Sequence, residues 1–524
     1  MSETVGGATV RGSRRDALRC VANLVAVGCT APLIVRAGQT AGAIDIGTRR
    51  ELFVDSYLID RLTGGAQQVM HRPTPREISL VHDAAWEGSG SGYHSVFQDG
   101  DLYRMYYKAW HLQVSQGRVD SAQHPLFCCY AESQDGIAWR KPRLGLHTFQ
   151  GSKQNNIVIA SGKQGSLRVD AGHPAVFLDD NPRASADARY KAILRSSGAN
   201  GLLPFKSSNG LDWVPMADKP ILAGLGAFDS QNLAVWDANV EKYRAYWRVF
   251  NTTKPAKAGA RPIRYRAIRT ATSYDLLQWS QPQDLSYIDS PVEELYTNQV
   301  KPYPRAPHIL IGFPTRYIDR GWSESMRALP DGQHRELRSS ASPRYGTALT
   351  EGLLMASRDG VRFQCWNEAF LRPGIQRPGS WHYGQQYIAW HVVQTKSTIA
   401  GAPDELSCYA SESYWTGRGS ALRRYSLRLD GFVSVQAPRS GGDLMTRPLT
   451  FRGGELRVNF ATSAAGALRV ELQHPDGTVL PGFSAADCSE IFGDAVDRTV
   501  SWKTGADLSR LRGRALRLRF QLQD

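Results

Sequence analysis

SQDGIAW, residues 133–139, is the stretch on which the reading of the fold turns, because the chain returns to it. Related boxes stand at 207–213 (SSNGLDW), 273–279 (SYDLLQW) and 357–363 (SRDGVRF). Each reads Ser-x-Asp/Asn, usually Gly, then an aromatic residue four places after the Asp or Asn. With those acids and amides at 135, 209, 275 and 359, the steps are 74, 66 and 84 residues. Self-similarity at a loose period marks a repeat architecture, and these steps exceed the about 40–50 residues of the commoner propeller repeats, which implies long loops. The chemistry of the box is local. The Asp or Asn oxygen accepts backbone N–H groups two residues on, Gly takes a positive φ, and the aromatic ring packs under the turn. The box is a corner between strands and names no reaction.

Working outward, each box follows a hairpin. GYHSVFQDGDLYRMYYKAW (92–110) is two alternating runs turning at Asp99-Gly100-Asp101. Hairpins of the same grammar lie at 175–194, 232–250 and 300–316, and a fifth pair of runs at 387–393 and 406–413. CYASES at 408–413 echoes CYAES at 129–133. A further strand is expected at 51–59 (ELFVDSYLI). The grammar changes near Arg423, and the runs ELRVNFAT, ALRVELQH, RTVSWKT and ALRLRFQL that follow alternate apolar and polar, as in an antiparallel β-sandwich. The expected fold is therefore all-β: a five-bladed β-propeller over 44–422 and a C-terminal β-sandwich over 423–524. The polar stretch 322–347 shows no periodicity and reads equally as a rim of the central pocket or a disordered insertion.

At 524 residues the chain has room for a large core. Its net charge of +14 comes from scattered Lys and Arg without a basic helix or tract, so a solvated basic surface is expected rather than a nucleic-acid site. Residues 1–43 read as an export signal. Ser13-Arg14-Arg15 resembles a twin-arginine pattern, an apolar stretch follows, and Ala41-Gly42-Ala43 offers a small-residue cleavage site. The apolar stretch is too short and interrupted for a membrane span, and a periplasmic or secreted protein with no membrane contact after signal removal is expected. Five cysteines would remain (Cys128, Cys129, Cys365, Cys408, Cys488), at spacings that match no zinc or redox motif. They are expected to be buried small hydrophobes, and no metal or cofactor is expected.

In a propeller the lead-ins to the innermost strands face one mouth of a central channel. Those lead-ins carry Glu87 and His94, then Asp170 and His173, Asp229 and Asn232, Glu293, Glu294 and Asn298, and finally Trp381, His382 and Tyr383. Paired carboxylates facing a cavity are what glycoside hydrolysis requires, and aromatic faces supply a surface for sugars. Capping of turns at strand starts is the competing role for each acid. No phosphate loop, dinucleotide fingerprint, HExxH pair or GxSxG elbow occurs.

Taken together, the corner boxes, the carboxylates before inner strands and the C-terminal β-region resemble the five-bladed propeller glycoside hydrolases, both the invertase/fructanase and the arabinanase/xylosidase types. The resemblance covers nearly all of 45–524. The invertase Asn-Asp-Pro-Asn, Arg-Asp-Pro and Glu-Cys motifs are absent, so roles transfer by layout only. It implies a carbohydrate substrate, Glu294 as general acid, Asp229 orienting the sugar or tuning a partner, and Glu87, Asp55 or Asp170 as nucleophile or base. Asn232, Asn298, His173, Trp381, His382 and Tyr383 would bind substrate. A sialidase-like enzyme for acidic sugars is one rival. It would need three arginines converging in the channel, and Arg104, Arg195, Arg248 and Arg316 lie on hairpin strands. A non-catalytic glycan-binding propeller is the other. A metal held by His94, His173 and His382 is disfavoured, since no ligand spacing is visible.

Overall fold

The computed structural model describes residues 42–252, 263–417 and 419–524, so the leader-like segment lies outside the described residues. Among the described residues no helix is long and apolar enough to cross a membrane. Residues Ala43–Asp524 form one compact unit.

Five antiparallel sheets follow one another along the chain. The first runs Gly92–Asp99, Leu102–Ala109, Phe127–Ser133, Ile157–Ala160. The second runs Leu167–Leu178, Tyr190–Ser196, Leu202–Ser207, Val214–Pro215, and the third Leu233–Asp237, Lys242–Thr252, Arg264–Ser273, Gln283–Asp284. The fourth passes through Lys301–Tyr303, Ala306–Gly312, Ala348–Ser357 and Arg362–Leu371, with Ser286–Ile288 added in parallel at its edge. The fifth is Val393–Thr395, Glu405–Glu412 and Ala421–Arg428, and its outer strand, Thr74–Val81, comes from the start of the chain.

Apolar side chains pack between each sheet and the next. Phe97 and Tyr130 meet Val176 and Phe205, Phe177 meets Val235 and Trp247, and Tyr246 meets Leu353 and Met355. Ile311 and Leu354 then meet Leu406 and Cys408, and Tyr409 and Leu422 of the fifth sheet meet Met105 and Tyr107 of the first. Because apolar neighbours lie on both sides, the inner strands are buried on both faces, which blurs the alternation expected of one-sided strands. The innermost segments are tied to one another by two buried amides. Gln231 Nε2 donates to the carbonyls of Tyr93 and Pro174 at 3.0 Å each, and Gln299 Nε2 donates to Gln231 Oε1 at 2.7 Å and to the Ile388 carbonyl at 3.0 Å. One hydrogen-bonded plug thus joins all five sheets.

The boxes form the corners read from the sequence. Asp135 Oδ1 accepts from the N–H groups of Ile137 and Ala138 at 2.8 and 2.9 Å, and Gly136 sits at φ +70°. Asn209, Asp275 and Asp359 repeat the pattern, with Leu276 rather than Gly holding the positive φ in the third box.

Two expectations are corrected, and one open reading is narrowed. The strand expected at 51–59 begins only at Ile59–Thr63, because Asp55 caps the Tyr57 N–H and holds a bend. The boundary expected at 422/423 falls inside the strand Ala421–Arg428, which the fifth sheet needs for its own closure. The stretch 322–347 is ordered and partly helical, with its main helix at Gly332–Ala341. That helix seats on arginine instead of leucine. Arg335 and Arg338 are fully buried and donate to the carbonyls of Pro330, Gly346, Trp381 and Trp415.

Beyond the fifth sheet, Gly442–Thr446, Ala467–Gln473 and Arg517–Gln523 form a four-stranded sheet completed by Ile59–Thr63. Two ribbons, Ile44–Gly47 with Leu449–Phe451 and Arg457–Ala461 with Asp494–Thr499, share its core around Val470, Trp502 and Leu518. The five described cysteines are all buried, and none is in a disulfide.

Candidate active site

The lead-ins to the inner strands bring tyrosines together. Tyr93, Tyr296, Tyr383, Tyr387 and Tyr414 form one cluster, with Tyr93 stacked on Tyr387 (6.2 Å between centroids) and Tyr387 5.5 Å from Tyr296. The Tyr383 hydroxyl donates to the Tyr296 hydroxyl at 3.0 Å. Tyr93 adopts φ 52°, a conformation costly for a bulky residue and one that accumulates at functional sites.

Charged groups ring this cluster. Lys108 Nζ, fully buried, lies 4.4, 4.7 and 5.2 Å from the ring centres of Tyr93, Trp110 and Tyr414, and burial pushes its ammonium down to about 7 against the pull of Asp170. Asp170 is bonded to His173 Nδ1 at 3.0 Å and to Arg195 at 3.3 Å. Burial works to raise the Asp170 carboxyl, but His173, the Gly172 N–H and Arg195 outweigh it and hold it at about 2. His173 in turn faces the Tyr93 ring at 5.7 Å.

Two arginines of the third sheet hold acids from the loops ahead of the third and fourth sheets, Arg248 pairing with Asp229 and Arg266 with Glu294. Arg248 is 3% exposed whereas Asp229 is 60% exposed; Arg266 and Glu294 are 13% and 35% exposed. Both guanidinium groups lie over the Tyr296 ring, at 4.8 and 5.4 Å. Burial acts to raise the Tyr296 phenol, yet Arg248, the Tyr383 hydroxyl and Arg266 bring it below the ordinary tyrosine value. In the same cluster burial raises Tyr93, Tyr383, Tyr387 and Tyr414 instead. Tyr296 is the odd one of the five.

Of the residues expected to carry chemistry, the structure brings Asp170, His173, Asp229, Glu294 and Tyr383 to this cluster, and leaves the rest elsewhere. Glu87 is sealed in the first sheet, where Tyr107 donates to it at 2.6 Å, Lys141 at 2.9 Å and the Ala84 N–H at 2.8 Å. Asp55 pairs with Arg358 at 2.8 Å, in the segment that precedes the first sheet. Asn232 and Asn298 are buried and spend their amides on local carbonyls, Asn232 on Phe228 and Ser230, Asn298 on Tyr246. His382 is locked between Arg338 at 2.6 Å and Asp331 at 2.7 Å; burial first, then the two arginines, push it down to about 3. Trp381 gives its indole N–H to Gly374 and its carbonyl to Arg335. His94 pairs with His82 at 3.1 Å, away from His173. Among the described residues no cluster of three or more His, Cys, Asp or Glu is arranged to hold a metal ion.

Sequence reading passed over Tyr93, Tyr296, Tyr387, Tyr414, Lys108 and Arg266. A signal was present: a tyrosine stands in the lead-ins SGYHS, ELYTN and QQYI, and another in SESYW. Arg104 and Arg316 are occupied away from the cluster, by Asp99 and by Glu293 with Glu351.

A cavity of about 1340 Å³ lies between the fifth sheet and the C-terminal β-region. Its charged groups are spent on one another, as in Arg50–Asp430 at 2.9 Å and Arg428–Asp494. It also lacks the stacked rings of the tyrosine cluster, so size is outweighed here by chemistry.

No protein-family model and no curated protein matches this sequence. Among solved structures the chain is similar to a glycosyl hydrolase from Bacteroides ovatus, at 13% identity and TM-score 0.36, over 72% of this chain and 99% of that one. It is similar also to the catalytic domain of a Coprinopsis cinerea GH62 α-L-arabinofuranosidase, at 10% identity and TM-score 0.39, over 68% and 97%. A third is a GH130 structure, from a family described as containing hydrolases that target β-1,2 mannosidic linkages in Candida mannan. It matches at 14% identity and TM-score 0.37, over 70% and 95%. These neighbours are glycoside hydrolases, the class the sequence resembles; the likeness is one of layout alone.

Proposed function

We propose that the five sheets are the blades of a propeller, that the C-terminal region is a β-sandwich, and that the tyrosine cluster is the active centre of a glycoside hydrolase. The observation that carries this reading is that three carboxylates border one tyrosine cluster, Asp170 through His173, Asp229 through Arg248 and Glu294 through Arg266. Aromatic faces hold sugar rings, and carboxylates supply the proton transfer and the nucleophile or base that cleavage of a glycosidic bond requires.

In hydrolysis the oxygen of water ends on the anomeric carbon, the bond to the leaving oxygen breaks, and a proton passes to that oxygen. Asp170, held ionised by His173 and Arg195, suits the nucleophile or base. Glu294, 35% exposed, would be the proton donor once freed from Arg266, and Asp229 the residue that orients the sugar with Arg248. The bond is a glycosidic one of an oligo- or polysaccharide, with furanosides among the first to try. The twin-arginine-like leader supports action outside the cytoplasm.

The test is incubation of the full chain with fructans, arabinans, xylans, mannans and sialosides, followed by assay for released sugar. Product from the wild type and none from folded Asp229→Asn is the expected result. Cleavage at full rate by Asp229→Asn would remove the site, and binding without cleavage would favour a glycan-binding propeller.

A further inference from the structure

Three guanidinium groups share one aromatic wall beside the site. Arg248, Arg264 and Arg266 lie 5.3, 4.1 and 5.6 Å from the centre of the Phe250 ring, and two of them also cover Tyr296. Strand register makes this possible, since Phe250 stands opposite Arg266 on the paired strand and Arg248 lies two residues before it. Like charges gathered on one wall repel, and they persist where anions answer them. The acids present answer only in part. Arg248 reaches Asp229 through one nitrogen and Arg266 reaches Glu294 through Nη1, while the Nε atoms of both are buried without a hydrogen-bond partner among the described residues. A guanidinium carries five donors in a planar fork matched to a carboxylate, so donors remain for another anion.

We infer that this wall binds the carboxylate of an acidic sugar, so that the substrate of the proposed hydrolase is a uronic- or ulosonic-acid glycoside. The inference rests on the tyrosine cluster being the sugar site. The ring of the sugar would lie on Tyr296 with its carboxylate on Arg248 and Arg266 and its outer edge toward Arg264. An anion on Arg266 competes with Glu294 for the same cation, and a carboxyl group released from a cation is the one able to carry a proton to a leaving oxygen.

The experiment pairs acidic oligosaccharides (oligogalacturonides, glucuronoxylan fragments and sialosides) with their carboxyl-reduced counterparts, using the full chain. Calorimetric binding and initial rates are both read. At least one acidic saccharide is expected to bind, and to be cleaved, about 100-fold better than its reduced partner. Arg266→Gln is expected to narrow that ratio tenfold or more. Exposed Arg264→Gln, whose folding is at little risk, is expected to narrow it several-fold. Equal handling of acidic and reduced forms, or binding of no acidic saccharide, overturns the inference. So does acceleration of neutral-sugar cleavage by inorganic phosphate, which would put phosphate on the arginines. Tight binding of the acidic form without cleavage keeps the inference and sinks hydrolysis; cleavage of neutral sugars without preference does the reverse.

Discussion

The lead-ins of the first and third sheets carry the same kind of residue to different ends. Glu87 precedes the first inner strand and Asp229 the third, and both are carboxylates expected at a channel mouth. Glu87 is fully buried, with a lysine, a phenol and a backbone N–H around it. Asp229 has one partner among the described residues, Arg248, and 60% of its side chain faces solvent. Glu87, sealed among three donors away from the tyrosine cluster, acts as a fastener, whereas Asp229 at the aromatic wall keeps acceptor capacity to spare. Position along the chain selects both; the stock of partners separates them.

The comparison breaks first on activity. Glu294→Gln and Asp229→Asn are each expected to lower kcat/KM by about 10³-fold, in the range of lost acid–base catalysis, while the variants remain folded. Steady-state kinetics beside urea unfolding would show it, and a full-rate variant would return that residue to a capping role.

Glu87→Ala should do the opposite. Lys141 and Tyr107 would lose a buried partner, at a cost on the order of 3 kcal/mol, while turnover per folded molecule stays intact. Urea unfolding measures the cost, and an inactive but stable variant would put Glu87 back among the catalytic candidates.

A pH series sharpens the contrast between structural and reactive groups. His382 and His391 are pushed by burial down to about 3, and His82 and His94 are lowered in the same direction. A folded-state value below the unfolded one means that the unfolded chain takes up the proton first. Stability is then full above about pH 6.5 and falls as pH drops from there toward 3. The unfolding midpoint should therefore be lower at pH 5 than at pH 7.5, and His391→Gln should flatten that slope. A midpoint that rises on acidification contradicts the assignment.

The smallest effect belongs to a corner. Asp135→Ala removes two capping bonds on an exposed turn and should cost about 1 kcal/mol, read by thermal unfolding, with no change in kcat/KM.

Much of this fold was legible because its signals are local. The four boxes and the hairpin turns announce themselves within seven residues, and their side-chain oxygens bond where the spacing says they must. The outer strand of the fifth sheet was not legible, since Thr74–Val81 pairs with residues about 350 positions away. Nor was the helix Gly332–Ala341, whose buried side is held by arginine–carbonyl bonds while the eye looks for apolar periodicity. For the candidate site, the sequence marks Asp170, Asp229 and Glu294 by their places in the lead-ins to inner strands, and the structure sets them beside the tyrosine cluster through His173, Arg248 and Arg266. The tyrosines and Arg266 were passed over because each is ordinary within its own strand, and only the convergence of five sheets makes them a group.

The most direct test of the account is where a sugar sits. A crystal structure of Glu294→Gln soaked with a bound oligosaccharide should show a sugar ring on the Tyr296 face, within hydrogen-bond reach of Asp170 or Asp229. A sugar in the cavity between the fifth sheet and the C-terminal β-region, with the tyrosine cluster empty, would contradict it.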